Sequence, residues 1–109
     1  MRIYLSGKIT GKNMQQNIEK FTDTQARLEA LGHDVINPAR FGAVLPRLKH
    51  AEYVKIGEEC LKICDKIFML DNYRESKKAT EELYLAHNIG KEIEYENPSQ
   101  AIEFRGVYD

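Results

Sequence analysis

Residues 66–95, KIFMLDNYRESKKATEELYLAHNIGKEIEY, read as strand, loop, helix and strand. KIFML is an unbroken apolar run and the clearest strand in the chain, of the kind that suits a sheet covered on both faces. From Ser76 to Ile89 the apolar residues recur at helical spacing, and Ser76 is a preferred N-cap. KEIEY then supplies the next strand. A strand, one crossover helix and a second strand run parallel in the same sheet.

Working outward, the same alternation fills the chain. Arg2 to Ser6 forms a first strand through Ile3, Tyr4 and Leu5. A long helix follows, with Met14, Ile18, Phe21, Leu28 and Leu31 at helical spacing and Gly32 as its stop. HDVINP at 33–38 is a second short strand closed by Asn37-Pro38, and residues 39–50 read as loop with some helix around a proline. Ala51 to Cys64 is helical through Tyr53, Ile56, Cys60 and Leu61, and a short helix around PSQAIEF at 98–104 closes the pattern. The expectation is an α/β fold: an open, doubly wound parallel sheet of four to five strands, Rossmann- or flavodoxin-like, in one domain over residues 1–109.

Charge and composition exclude several classes. With 16 basic against 17 acidic side chains there is no net field to attract polymeric nucleic acid. The apolar runs are too short to span a membrane, and the first residues form a strand pattern rather than a signal peptide. Cys60 and Cys64 lie four apart on a helix. That is neither C-x-x-C nor a secreted disulfide framework, so reduced thiols in the cytoplasm are expected. His33, His50 and His87 share no ligand spacing with them, so no metal and no cofactor is implied.

In sheets of this kind ligands bind beyond the carboxyl ends of the strands. SGKITGKN at 6–13 and DNYRESKKA at 71–79 therefore face one crevice. The first of these is no P-loop, since three residues, not four, separate Gly7 from Gly11-Lys12 and Asn13 follows. Nor is it a dinucleotide fingerprint. Glu82 falls in the middle of the apolar face of its helix, flanked by Ala79, Leu83, Leu85, Ala86 and Ile89, while Glu81 lies at the edge. A carboxylate there costs several kcal/mol unless it is paired, hydrogen-bonded or watered through a cleft. A buried Tyr4 hydroxyl needs a partner, and that carboxylate suits it. Ser76 serves as a cap, and the amides behind it, with Lys77 and Lys78, form a ready anion site. Lys8 alone reads as a solvated loop lysine.

In order and spacing, RIYLSGKITG, GHDVINP, CDKIFML and SKKATEELYLAHNIGKEI resemble the nucleoside 2-deoxyribosyltransferase-like superfamily. Within it the chain is most similar to small bacterial and phage members and to the 2′-deoxynucleoside 5′-phosphate N-hydrolases. The resemblance implies that Glu82 is a nucleophile and that Tyr4 orients it. It places Gly7, Lys8 and Thr10 in a loop approaching the sugar and 5′-phosphate. Ser76 matches a phosphate-binding serine of the nucleotide hydrolases. The implied partner is a small nucleoside or nucleotide, and the implied assembly a homodimer or higher homo-oligomer. The glutamate would attack the anomeric carbon with loss of the base, leaving a glycosyl-enzyme for water or a second base to resolve.

Two positions depart from that pattern. Lys78 stands where a glycine usually precedes the alanine. Gly57 stands where catalytic members carry an aspartate that protonates the departing base, and one helical step of about 100° turns Glu58 away from that position. If Gly57 marks drift, Gly57→Asp restores the acid and slightly raises stability. A non-catalytic nucleotide-binding module is the alternative. A domain in which Glu82 is only a satisfied core carboxylate is a third.

Overall fold

The structure, a computed structural model, describes residues 1–104. The chain forms β1 (Arg2–Ser6), α1 (Met14–Ala30), β2 (Asp34–Ile36), α2 (Phe41–Val44), α3 (His50–Lys62), β3 (Lys66–Met69), α4 (Lys77–Asn88) and β4 (Glu92–Tyr95). Single 3-10 turns at Pro38–Arg40, Tyr73–Glu75 and Pro98–Gln100 punctuate it. The four strands are all parallel in the order β2-β1-β3-β4, with Tyr4 opposite Ile36 and Ile67, and Ile67 opposite Ile93. This is the doubly wound sheet expected, at the lower strand number.

The period of two along each strand divides the core. Ile3 and Leu5 join Phe68 and Leu70 beneath Phe21 and Leu28 of α1. Tyr4 joins Ile67 and Met69 on the opposite face, beneath Leu61 of α3 and Ala79, Leu83 and Ala86 of α4. Residues Ile3 to Leu5 are thus buried on both sides, as the apolar run requires. α1 does not extend over β4, whose Glu92 and Glu94 on that face take Lys66 Nζ at 2.8 and 2.7 Å. Charges of this kind also blunt an edge strand against further pairing.

Two glycines end helices. After α1 the N–H of Gly32 (φ +93°) bonds to Glu29 and that of His33 to Leu28. After α4 Gly90 (φ +76°) bonds to His87 and Lys91 to Ala86. Both are the paired bonds of a left-handed helix stop, which glycine adopts without a Cβ clash.

Three sequence expectations need correction. The second strand is shorter than HDVINP, because Asn37 leaves the sheet to cap a 3-10 turn, its Oδ1 accepting the Ala39 N–H at 3.0 Å. Met14 and Leu31 are 48 and 71% exposed, because the ends of α1 project beyond the short strands. The closing helix is a single 3-10 turn at Pro98–Gln100. Beyond it, tertiary contacts hold the chain out of a helix: the Ile102 N–H bonds Tyr95 Oη at 3.2 Å and Phe104 stacks on His87 at 3.9 Å. Among the described residues, no helix is long and apolar enough to cross a membrane.

Candidate active site

β1 continues to β2 on one side and neighbours β3 on the other, so the strand order reverses between β1 and β3. Ligand crevices of open α/β sheets form beyond the strand ends at such a point. Here the loop after β1 meets the loop after β3. Asn72 joins them: its Oδ1 accepts the Lys8 N–H at 2.9 Å, and its Nδ2 donates to Lys8 O at 3.2 Å and Asn17 Oδ1 at 3.3 Å. A Cβ on Gly7 would lie 2.7 Å from Asn72 Oδ1, so the clamp requires glycine there. Lys8 reaches over the rim, its Nζ donating to Glu75 O at 3.3 Å beside the start of α4. Ser76 caps that helix, its Oγ accepting the Ala79 N–H at 3.1 Å. Lys8 and Ser76 are therefore brought together. Thr10 is exposed on the outer loop and takes no part in these bonds.

On the α3–α4 side of the sheet Glu82 is 3% exposed. Tyr4 Oη donates to its Oε2 at 2.6 Å, Ser6 Oγ to its Oε1 at 2.7 Å, and Lys78 Nζ to its Oε2 at 2.9 Å. Three donors, one of them the Lys78 cation, offset the desolvation of a buried carboxylate. Burial, and then the Glu82 charge and hydrogen bond, push the Tyr4 phenol well above its usual range, which keeps it a donor. Ile89, expected beside Glu82, is instead 40% exposed past the end of α4.

Gly57 is buried in α3 where that helix crosses this cluster. A Cβ there would lie 2.6 Å from Tyr4 Oη and 3.1 Å from Glu82 Oε2, with Lys78 Nζ 3.7 Å away. The space beside the glycine is thus taken by the side chains of the cluster itself. Outside it, Val54 and Glu58 of α3 face Lys78, Glu81, Glu82 and Leu85 of α4 across a cavity of about 120 Å³. The carboxylate is buried but borders an opening.

Ser6 and Asn72 escape the sequence reading, which turns Glu58 away from the site. Ser6 carries a signal, because it lies two residues after Tyr4 and so shares its face of the strand. Lys78, read as part of an anion site, turns instead to Glu82, its (i, i+4) neighbour. Glu58, set aside for its angle on the helix, lines the cavity together with Val54, one turn before it on α3. Asn72 had no local signal.

The fold is shared with a 2-deoxyribosyltransferase from the psychrotolerant bacterium Bacillus psychrosaccharolyticus, described as a suitable biocatalyst for the industrial synthesis of antiviral and antitumoral nucleosides. The TM-score is 0.71 at 22% identity, covering 95% of this chain and 77% of that one. This bears out the resemblance in fold. No curated protein matches the sequence. Residues 1–95 match the family described as a domain of unknown function, DUF4406, and the chain belongs to that family.

Proposed function

We propose that this protein cleaves the N-glycosidic bond of a deoxynucleoside or its 5′-monophosphate, with Glu82 as nucleophile. The observation that carries this reading is a buried carboxylate held by Tyr4, Ser6 and Lys78 and bordering a cleft, on the fold of a deoxyribosyltransferase. An anionic oxygen fixed by preorganised donors is suited to attack an anomeric carbon from one face as the base leaves from the other. Tyr4 orients the carboxylate, and Lys78 pairs with it. Lys8, the Ser76 hydroxyl and the first amides of α4 supply the donors for a 5′-phosphate in this reading. Water or a second base then resolves the glycosyl ester, giving hydrolysis or transfer.

The test is release of free base from a panel of deoxynucleosides and 5′-monophosphates, followed by chromatography, for wild type and Glu82→Gln. The glutamine keeps the volume and a hydrogen-bonding group but removes the nucleophile. Wild type is expected to release base and Glu82→Gln to fall to background with its fold retained by circular dichroism. Equal rates would show that Glu82 is not the nucleophile. A second reading, a nucleotide-binding module without chemistry, is favoured by Gly57, which sets no acid against the cluster and has no room for one. Ligand-induced thermal stabilisation without base release is its signature.

A further inference from the structure

Cleavage of the bond to a natural base leaves a nitrogen that needs a proton, and no side chain of residue 57 can supply it. We propose that Glu58 is the acid that protonates the departing base, an inference that rests on the proposed glycosidic chemistry. Three ionisable side chains border the cavity besides Glu82: Glu58, Lys78 and Glu81. Lys78 Nζ is 2.9 Å from Glu82 Oε2 and so lies on the nucleophile's own side. Displacement at an anomeric carbon puts the leaving group on the opposite face. Glu81 shares the wall of Glu82, and its side chain is 60% exposed at 3.9 Å from Lys77. Glu58 alone projects from the facing wall, on α3, and it is half-buried.

Glu58 is also uncommitted. Its neighbour Glu59 is paired with Lys62 at 3.0 Å, whereas Glu58 is paired with no basic side chain among the described residues. With Tyr4, Glu82 and Lys78 filling the space against residue 57, an acid must stand one residue outward, where glutamate has one methylene more reach than aspartate. In the first step a Glu82 oxygen bonds to C1′ as the C1′–N bond breaks. The bond's electron pair passes to the base nitrogen system, and the Glu58 carboxyl proton passes to the base. In the second step the Glu58 carboxylate takes a proton from water as the water oxygen displaces Glu82 from C1′.

The experiment compares wild type, Glu58→Gln and Glu82→Gln on two substrates. One is a purine deoxynucleoside 5′-monophosphate. The other is the corresponding nicotinamide deoxynucleotide, whose pyridinium leaves as a neutral molecule without taking a proton. Glu58→Gln is expected to slow purine release about 10²–10⁴-fold while leaving nicotinamide release within about threefold of wild type. Nicotinamide release at that rate also shows that the variant is folded. Equal slowing on both substrates would mean that Glu58 serves the structure, and no slowing on either that the proton comes from elsewhere. Both results overturn the proposal. Wild-type release that depends on Glu82 and not on Glu58 overturns this inference alone. A wild type that releases base from neither substrate overturns it together with the reading beneath it.

Discussion

Gly57 shows how one residue can be read with the wrong sign. On sequence grounds a glycine inside a helix costs about 1 kcal/mol relative to alanine, so a side chain there is expected to stabilise. The structure reverses this, because an added Cβ meets Tyr4 Oη at 2.6 Å and the anchored Glu82 carboxylate at 3.1 Å. Neither can retreat, since both are buried and hydrogen-bonded to each other. Overpacking of this kind costs about 1–3 kcal/mol, which outweighs the helical gain. Gly57→Ala is therefore expected to be less stable than wild type by about 1 kcal/mol in urea denaturation. Gly42→Ala is the control: its Cβ would meet nothing within 4 Å, so it is expected to be neutral or stabilising. A Gly57→Ala protein as stable as Gly42→Ala would refute the packing argument. Gly57→Asp, expected from sequence to restore an acid, would disrupt the cluster it was meant to assist.

At the scale of elements, the start of α4 performs two tasks. Ser76 caps the helix through its oxygen, which leaves the hydroxyl proton available to an anion in front of the first turn. Aspartate caps about as well as serine but repels an anion. Ser76→Asp is therefore expected to keep the stability of the helix while reversing ligand preference. Wild type should bind a deoxynucleoside 5′-monophosphate more tightly than the nucleoside by calorimetry, and Ser76→Asp the nucleoside more tightly. Equal affinities in wild type would remove the phosphate assignment. The strands and helices themselves follow local rules closely. α1 and α4 stop at Gly32 and Gly90, and the segment around PSQAIEF departs from its expected helix only where Tyr95, His87 and Phe104 hold it.

For the whole molecule, the expected assembly is a homo-oligomer, at least a dimer. α2 and the residue that follows it leave Val44 72% and Leu45 43% exposed, in the segment RFGAVLP that is too apolar for a simple solvated loop. A second copy would cover these side chains and help to close a crevice that one small domain leaves open at its rim. Light scattering at tens of micromolar is expected to give at least twice the chain mass, since an interface of ordinary size persists at that concentration. A monomer would count against it.

By itself the sequence determined the order of elements, the parallel doubly wound sheet, the rim on which the two loops meet, and the presence of Glu82 on an apolar helix face. These follow from periodicity, caps and helix stops, which act within a few residues of one another. The Tyr4 partner is readable in the sequence, but only the tertiary structure decided the full set of donors that Glu82 meets. Its bonds to Tyr4 and Ser6 span 78 and 76 residues, and Asn72 reaches the first loop across 64. The same holds for Gly57 and Glu58, adjacent in sequence but different in setting: one lies against a filled cluster and the other on an open cleft. That difference is set by how closely α3 approaches α4 and β1. No local pattern encodes a distance between packed elements, because it depends on the volumes of side chains contributed by all of them.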